Sequence, residues 1–189
     1  MDLNKIQEQV KSTLSEERYI HSVGVMHKAE ELARKYGQGI NIKKVKLTAI
    51  IHDIAKEMSD KECYDYIEQH NIQIDDIERE NTNLLHAIIG AEITKKYGFD
   101  NEMKNAIRNH TTANINMSIL DKIIFVADAI EPNRKFKDLQ YAIELADKSL
   151  DEAIIYILNL NIKECIEKGK TIHPNSILAR NEIILKSKR

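Results

Sequence analysis

The sequence has only two cysteines, two prolines and six glycines, and it has no tryptophan. Cys63 and Cys165 lie far apart and form no C-x-x-C pair, which argues against a disulfide framework or a thiolate zinc site. No run approaches the roughly 18–20 apolar residues that span a bilayer. The first ten residues, MDLNKIQEQV, lack the features of a signal or transit peptide. We therefore expect a cytoplasmic protein that does not associate with membranes.

Positive and negative charges are nearly balanced, with 28 Lys and Arg against 30 Asp and Glu and a formal net charge of −2. This balance, together with the lack of aromatic residues among the basic runs, argues against a nucleic-acid partner. Apolar residues make up 42% of the 189 residues, which is enough for one well-buried core. Helix-forming residues dominate and no stretch shows strand-like alternation. The composition predicts one all-α domain, residues 1–189, with about eight or nine helices.

Capping residues predict where several of these helices begin. Ser15 precedes the helix that contains RYIHSVGV, Asn41 precedes the helix that leads to IIHD, and Asp100 precedes a helix that ends near His110. Ser59 and Ser118 each open an S-x-x-[DE] capping box. A further helix is expected over residues 80–97. These helices carry the polar residues that matter most for function.

Four histidines and two aspartates lie in or beside apolar helix segments, where a solvated side chain is not expected: His21, His52, Asp53, His86, His110 and Asp128. A single core histidine is usually satisfied by a backbone carbonyl. Six such groups exceed what neutral partners readily supply, whereas metal ions can satisfy all of them. His27 and His70, by contrast, lie beside charged residues and are expected in solvent.

Imidazole nitrogens combined with carboxylate oxygens suit iron, manganese, cobalt or zinc. Adjacent residues diverge by about 100° around a helix, so His52 and Asp53 can serve one site only near a helix end. An aspartate can also bridge two ions about 3.5–4 Å apart. Six ligands are enough for two divalent ions that keep positions for water and substrate.

The ordered segments RYIHSVGV, IIHDIAK, LLHAIIGAE, IRNHTT and FVADAIEPNR resemble the signatures of the HD-domain phosphohydrolases. More narrowly, they resemble the YqeK-type symmetrical bis(5′-nucleosyl)-tetraphosphatases, over roughly residues 19–180. This resemblance implies a single HD domain, two iron ions and cleavage of diadenosine tetraphosphate to two ADP. It implies these ligands: His21, His52, Asp53 and Asp128 for one ion, and His86, His110 and the shared Asp53 for the other.

The expected reaction is attack of a metal-bound hydroxide on an inner phosphorus, which releases ADP. Lys56 and Arg134 match the family pattern and are expected to contact phosphate. The alternatives are a helix-terminal cation for Lys56 and a solvated turn residue for Arg134. With Asp53 and with His110 as an assisting group, they form the expected catalytic set.

The residues expected to contact substrate are His21, Asp53, Lys56, Glu57, Met58, Ser59, His86, His110, Thr111, Asp128, Arg134, His173 and Ser176. The last two resemble a nucleotide-contacting loop at a helix N-terminus. Their alternative is an ordinary N-cap with a surface histidine.

Other functions stay open at this point. An HD enzyme could instead act on a nucleoside triphosphate, a cyclic dinucleotide or a guanosine alarmone, although the G-Y-P residues of one cyclic-dinucleotide branch do not occur here. A nucleotide-sensing protein without turnover is a third interpretation, and the complete ligand set argues against it. The sequence does not decide the base preference, the metal or the oligomeric state, for which a homodimer is one alternative.

Overall fold

The computed structural model describes residues 2–136 and 138–188, and within these ranges the chain forms helices and no strands. The α-helices are α1 Leu3–Thr13, α2 Glu16–Tyr36, α3 Ile42–Ile51, α4 Asp60–Gln69, α5 Asp76–Glu80, α6 Leu85–Ile93, α7 Asn101–Asn109, α8 Ile119–Ile130, α9 Leu139–Lys148, α10 Leu150–Glu167 and α11 Pro174–Ser187. Short 3-10 turns, Thr82–Leu84 and Thr94–Tyr97, flank α6.

The all-α prediction is confirmed, but the expected number of eight or nine helices is too low, because the described residues contain eleven α-helices. Helix α5 has only five residues, too few to show a helical period of apolar side chains. It is fixed instead by a capping box between Asp75 and Glu78. The single helix expected over residues 80–97 is interrupted by the two 3-10 turns.

The predicted caps explain why the helices begin where they do. Ser15, Asn41 and Asp100 each accept a hydrogen bond from a backbone N–H in the first turn of α2, α3 and α7 respectively. Ser59 and Ser118 form complete capping boxes at α4 and α8. Each box satisfies backbone donors that the helix itself leaves without partners.

The main core lies between α2, α3, α7, α8 and α10, and its largest fully buried side chains come mostly from α3, α8 and α10. Ile50 and Ile51 end α3, and Ile123 and Ile124 lie in α8. Burial of each such side chain stabilises the fold by about 1.5–3 kcal/mol. Polar residues just after α3 or along α8 are therefore attached to the best-packed part of the molecule.

A smaller apolar cluster packs α4 against α6 through Cys63, Ile67, Leu85 and Ile89. This cluster fixes α6, on which His86 lies. Among the helices described, none is both long and apolar enough to cross a membrane.

Candidate metal centre

The structure brings together the six residues that the sequence singles out as candidate ligands. Each comes from a helix or its end: His21 from α2, His52 and Asp53 from the end of α3, His86 from α6, His110 from the C-cap of α7 and Asp128 from α8. The four histidines and Asp53 are all buried, and Asp128 is half-buried. Because five packed helices carry these groups, their positions are fixed by the core.

Helix α3 ends at Ile51, so His52 and Asp53 lie in the turn that follows. The N–H of His52 bonds to the carbonyl of Ala49 instead of continuing the helix, and that of Ile54 bonds to Ile51. This tighter turn lets two neighbouring side chains face the same cluster. The prediction that His52 and Asp53 serve one site only near a helix end therefore agrees with the structure.

The two carboxylate oxygens of Asp53 face different histidine pairs. Oδ2 lies 3.6 Å from Nε2 of His21 and 3.7 Å from Nε2 of His52. Oδ1 lies 3.1 Å from Nε2 of His86 and 3.4 Å from Nε2 of His110. Asp128 joins the first pair, with Oδ1 3.1 Å from Nε2 of His21 and 3.7 Å from Nε2 of His52. This arrangement defines two adjacent groups of donor atoms that share Asp53.

All four histidines use Nδ1 for an anchoring contact and turn Nε2 towards the cluster. His52 contacts the carbonyl of Ala49 at 2.8 Å, His86 that of Asn83 at 2.6 Å and His110 that of Ile107 at 2.6 Å. A carbonyl only accepts, so each Nδ1 donates its hydrogen and each Nε2 carries a free lone pair. Such anchors orient metal-ligating histidines in general.

The donor set fits divalent cations. In the described part of the chain, Nε2 of His21 and of His52 are buried without a hydrogen-bond partner, and a buried nitrogen without a partner is costly unless an ion satisfies it. Burial lowers the pKa of His86 to about 4, which keeps its ring neutral. Burial would raise the pKa of Asp53, but His52, His110 and His86 together hold it well below its usual value. Neutral imidazoles and an ionised carboxylate are the forms that bind metals.

Glu131 is a buried carboxylate at this site that sequence reasoning missed. Its side chain is 1% exposed, and Oε1 lies 3.1 Å from Nδ1 of His21. Its Oε2 accepts hydrogen bonds from the backbone N–H and the side-chain amide of Asn133. Gly24 leaves room for it, since a Cβ there would lie 2.5 Å from Oε2. The preceding run of apolar residues, FVADAI, was the available signal that residue 131 could be buried.

Three cationic side chains surround the cluster, one more than the sequence suggested. Arg134 bonds to the carboxylate and to the backbone carbonyl of Asp128. Lys56 Nζ lies 3.5 Å from the ring nitrogens of His86, and burial lowers its pKa. The addition is Arg18, whose Nη1 lies 3.1 Å from Oδ2 of Asp53. A polyanion at the cluster would therefore meet positive charge on several sides.

Several other residues expected to contact substrate have contacts within the protein. Both carboxylate oxygens of Glu57 accept hydrogen bonds from Ser15. Ser59 caps α4, and Met58 packs against the smaller apolar cluster. Thr111 follows His110 and is half-buried. Glu57, Met58 and Ser59 thus each make a contact that stabilises the fold. Their contact with substrate stays a prediction.

His173 and Ser176 lie at the N-terminus of α11, and the hydrogen bonds and ion pairs that they make are with residues outside the six-residue cluster. His173 is 9% exposed and is therefore not a surface histidine. Its Nδ1 accepts from the N–H of Asn175, so its hydrogen sits on Nε2, which faces Asp75 at 3.4 Å and Glu78 at 3.8 Å. Ser176 donates to the carbonyl of Thr112 at 2.8 Å.

The predicted solvent exposure of His27 and His70 is confirmed.

A helical scaffold that holds a His-Asp pair together with a further histidine and a second aspartate is the arrangement of the HD class of metal phosphohydrolases. Residues 18–133 match the model of the HD domain. The chain therefore belongs to the HD-domain family, as its motifs indicated.

The relatives narrow this assignment. The chain is 38% identical over 190 residues, covering all of both chains, to a protein from Halalkalibacterium halodurans named symmetrical bis(5′-nucleosyl)-tetraphosphatase. It is 34% identical to a Bacillus subtilis protein of the same name, over 93% of this chain and 94% of the other. A crystal structure from Clostridium acetobutylicum, described as a predicted HD superfamily hydrolase involved in NAD metabolism, superimposes with a TM-score of 0.92 at 35% identity. It covers all of this chain and 99% of its own. The resemblance seen in the sequence motifs is thus confirmed.

Proposed function

We propose that this protein is a metal-dependent hydrolase that cleaves diadenosine tetraphosphate symmetrically into two molecules of ADP. The observation that carries the proposal is the position of Asp53, whose two oxygens face two separate pairs of histidine Nε2 atoms. Full-length relatives named for this activity support the choice of substrate. The non-catalytic interpretation is disfavoured because every ligand position is filled.

His21, His52, Asp53 and Asp128 would hold one divalent ion, and His86, His110 and Asp53 would hold the other. When bound, such ions supply Lewis acidity that activates water near neutral pH and neutralises charge on phosphoryl oxygens. The chain's own contribution is to fix the donor atoms through the Nδ1 anchors. We infer iron as the resident metal, with manganese, cobalt and zinc as alternatives that the N/O donor set also accepts.

Arg134 and Lys56 would bind the polyphosphate on two sides of the cluster. Arg134 contacts Asp128 and Lys56 contacts His86, so the two cations belong to different donor groups. A tetraphosphate held between them would bring its central phosphates close to Asp53. Charge-assisted hydrogen bonds from these cations would also stabilise the negative charge that develops on phosphoryl oxygens. The leaving ADP needs little help from an acid, and His110 or a neighbouring residue would supply that help.

The direct test is an incubation of anaerobically purified, iron-loaded protein with diadenosine tetraphosphate, followed by ion-exchange separation of the products. ADP as the sole product is the expected result. AMP plus ATP would overturn symmetrical cleavage and move attack to an outer phosphorus. Asp53→Ala is the control, because losing the shared carboxylate should remove metal and activity together. No turnover in metal-loaded wild-type protein would reject this substrate and direct the search to other nucleotides.

A further inference from the structure

A cavity of about 530 Å³ opens beside the candidate metal centre. Three of its lining residues, His110, Asp128 and Arg134, also belong to the centre or contact it. The rest of the wall comes from α8 and α10, together with Thr111 after α7 and Phe136 after Arg134. Its volume lies within the range of about 300–1,000 Å³ that is usual for small-molecule sites. The cavity is therefore continuous with the centre and large enough for part of a substrate.

The walls of this cavity combine apolar surface, one uncharged amide and three charged side chains of α10. The charged side chains, Lys163, Glu164 and Glu167, are paired along the helix, Lys163 with Glu167 and Glu164 with Lys168. Phe125, Ile157 and Leu160 supply apolar surface. Phe136 also lines the cavity and is 36% exposed, so part of its ring is not covered by the protein. Asn161 contributes an amide that makes no hydrogen bond to any residue the structure describes. A partly exposed aromatic ring and an exposed amide, both lining one cavity, suit a ligand that is flat and carries donors and acceptors on its edge.

We propose that this cavity binds one adenosine half of the dinucleotide substrate, with the base stacked on Phe136 and its edge bonded to Asn161. This inference rests on the proposed function and names the part of the site that would select the base. Aromatic side chains stack on every base, so Phe136 alone would bind a nucleoside without distinguishing adenine from guanine. The Asn161 amide pairs one donor with one acceptor, which complements N7 and the N6 amino group of adenine. Guanine offers two acceptors on the same edge and fits this amide less well.

Arg134 connects this cavity to the chemistry. It lines the cavity and bonds to Asp128 at the centre, so the 5′ phosphate of a nucleoside in the cavity would pass the guanidinium on its way to Asp53. One cavity of this size takes one nucleoside of the two. The base is thus recognised at one end of the substrate, and the tetraphosphate would extend from the cavity across the metal-ligating atoms of the centre.

The test compares wild-type, Asn161→Ala, Phe136→Ala and Phe136→Leu proteins, each with its metal content measured. Two kinds of measurement are made: the dissociation constants of ADP and GDP by calorimetry, and KM and kcat for diadenosine tetraphosphate by steady-state kinetics. Asn161→Ala should weaken ADP binding and raise KM about tenfold, leave kcat within about threefold, and remove the preference for ADP over GDP. Phe136→Ala should weaken both nucleotides, and Phe136→Leu should recover only part of the loss because it lacks an aromatic face. Asn105→Ala, an exposed asparagine on α7 outside the cavity lining, is the matched control.

The outcomes separate this inference from the proposed function. If wild-type protein forms ADP from the substrate while Asn161→Ala and Phe136→Ala bind ADP normally, the function stands and the cavity assignment is overturned. If wild-type protein does not hydrolyse the substrate but Asn161→Ala still binds ADP about tenfold more weakly, the function fails and the cavity remains an adenine nucleotide site. Equal loss of ADP and GDP in Asn161→Ala would overturn the role of Asn161 in base choice.

Discussion

At the scale of single residues, Glu131 determines which nitrogen of His21 faces the metal centre. The other three histidines are anchored through backbone carbonyls, which no substitution removes. His21 depends on a side chain instead, because its Nδ1 contacts Oε1 of Glu131 at 3.1 Å. A carboxylate that accepts from Nδ1 fixes the tautomer with a free Nε2 and increases the basicity of that nitrogen.

Glu131→Ala should weaken metal binding at the His21 group by about 10- to 100-fold, as is usual when such a supporting carboxylate is lost. Glu131→Gln should lose less, because an amide oxygen can still accept from Nδ1. The measurement is metal content after dialysis against graded concentrations of chelator. Glu144→Ala, an exposed glutamate on α9, is the control. Wild-type metal affinity in Glu131→Ala would show that the contact has no influence on His21.

Lys56 and Arg134 give a second prediction at this scale. Lys56→Ala and Arg134→Ala should each keep both ions yet lose kcat/KM by about tenfold or more, because each loses a charge-assisted contact to phosphate. Steady-state kinetics with parallel metal analysis checks this expectation. Lys61→Ala, whose ammonium is exposed on α4 and paired with Asp65, should behave as wild type. Unchanged kinetics in both site variants would place the two cations outside the substrate path.

The candidate ligands could be predicted from sequence because each places a titratable group in an apolar segment. The contacts of Arg18 and Glu131 with the site could not be predicted, because a charged residue near a helix end or turn is ordinary and the apolar run before Glu131 indicates only that it could be buried. Glu131 and His21 are 110 positions apart, and Arg18 and Asp53 are 35 apart. Only the packing of α2 against α3 and α8 brings these pairs together. Contacts of this kind depend on tertiary structure that local patterns do not encode.

At the scale of elements, Gly24 determines how closely α2 approaches the end of α8. A Cβ at this position would lie 2.5 Å from Oε2 of Glu131 and 3.2 Å from the Asn133 amide. Real Cβ atoms do not come so close, so a larger residue must displace the carboxylate that anchors His21. Glycine is otherwise unfavourable inside a helix by about 1 kcal/mol relative to alanine, so its presence here is explained by the close approach.

Gly24→Ala should therefore weaken metal binding at the His21 group in the same direction as Glu131→Ala. The double variant should bind metal no more weakly than Glu131→Ala alone, because the atom that the new methyl group would contact is gone. Metal titrations of the four proteins form a double-mutant cycle. If the losses of metal affinity in Gly24→Ala and Glu131→Ala add in the double variant, Gly24 does not act through the Glu131 carboxylate.

Helices α2 and α3 are also joined at the surface by Glu30, which bonds to Lys46 at 2.8 Å and to Arg34 at 2.6 Å. The hydrogen bond from Lys46, followed by that from Arg34, lowers the pKa of Glu30 to about 2. A lowered folded-state pKa gives stability that is present above the unfolded value near 4.5 and is lost as pH falls towards 2. Acidification should therefore remove this link between the two helices.

Glu30→Gln should lower the free energy of unfolding by about 0.5–1 kcal/mol at pH 7, since a partly exposed ion pair is screened by water. The difference from wild type should shrink as pH falls from about 4.5 to about 2. Urea unfolding of metal-free protein at several pH values measures it. Glu8→Gln, on an exposed face of α1, provides the comparison. A difference that stays constant over this range would show that the stabilising effect is not the charge of Glu30.

The elements themselves could be predicted where a cap and a helical apolar period coincide, as at Ser59 and Ser118. Helix α5 could not, because five residues are shorter than two turns and its apolar pattern is too brief to read. The single helix expected over residues 80–97 is also wrong, because no proline in this segment indicates that the helix is interrupted. The chain instead forms 3-10 turns at Thr82–Leu84 and Thr94–Tyr97.

At the scale of the whole molecule, the metal centre and the hydrophobic core are parts of one packed structure. Five of the six ligands lie in or at the ends of α2, α3, α7 and α8, which pack in the main core, and the sixth, His86, lies in α6. Without ions, the centre holds buried Asp53 and half-buried Asp128, each with a lowered pKa. It also holds two buried histidine nitrogens that lack hydrogen-bond partners among the described residues. Their burial costs free energy, so ions that bind the folded chain should stabilise all the helices that meet at the centre.

Removing metal with a chelator should therefore lower the melting temperature of the whole domain in one transition. A ligand present at 100 times its dissociation constant adds about 2.7 kcal/mol. For a domain of this size that corresponds to a shift of about 5–10 °C. Differential scanning calorimetry with and without chelator measures it, and Asp53→Ala should show no dependence on chelator. A melting temperature that chelation leaves unchanged in wild-type protein would contradict the coupling, because ions held by residues on five packed helices must add their binding energy to folding.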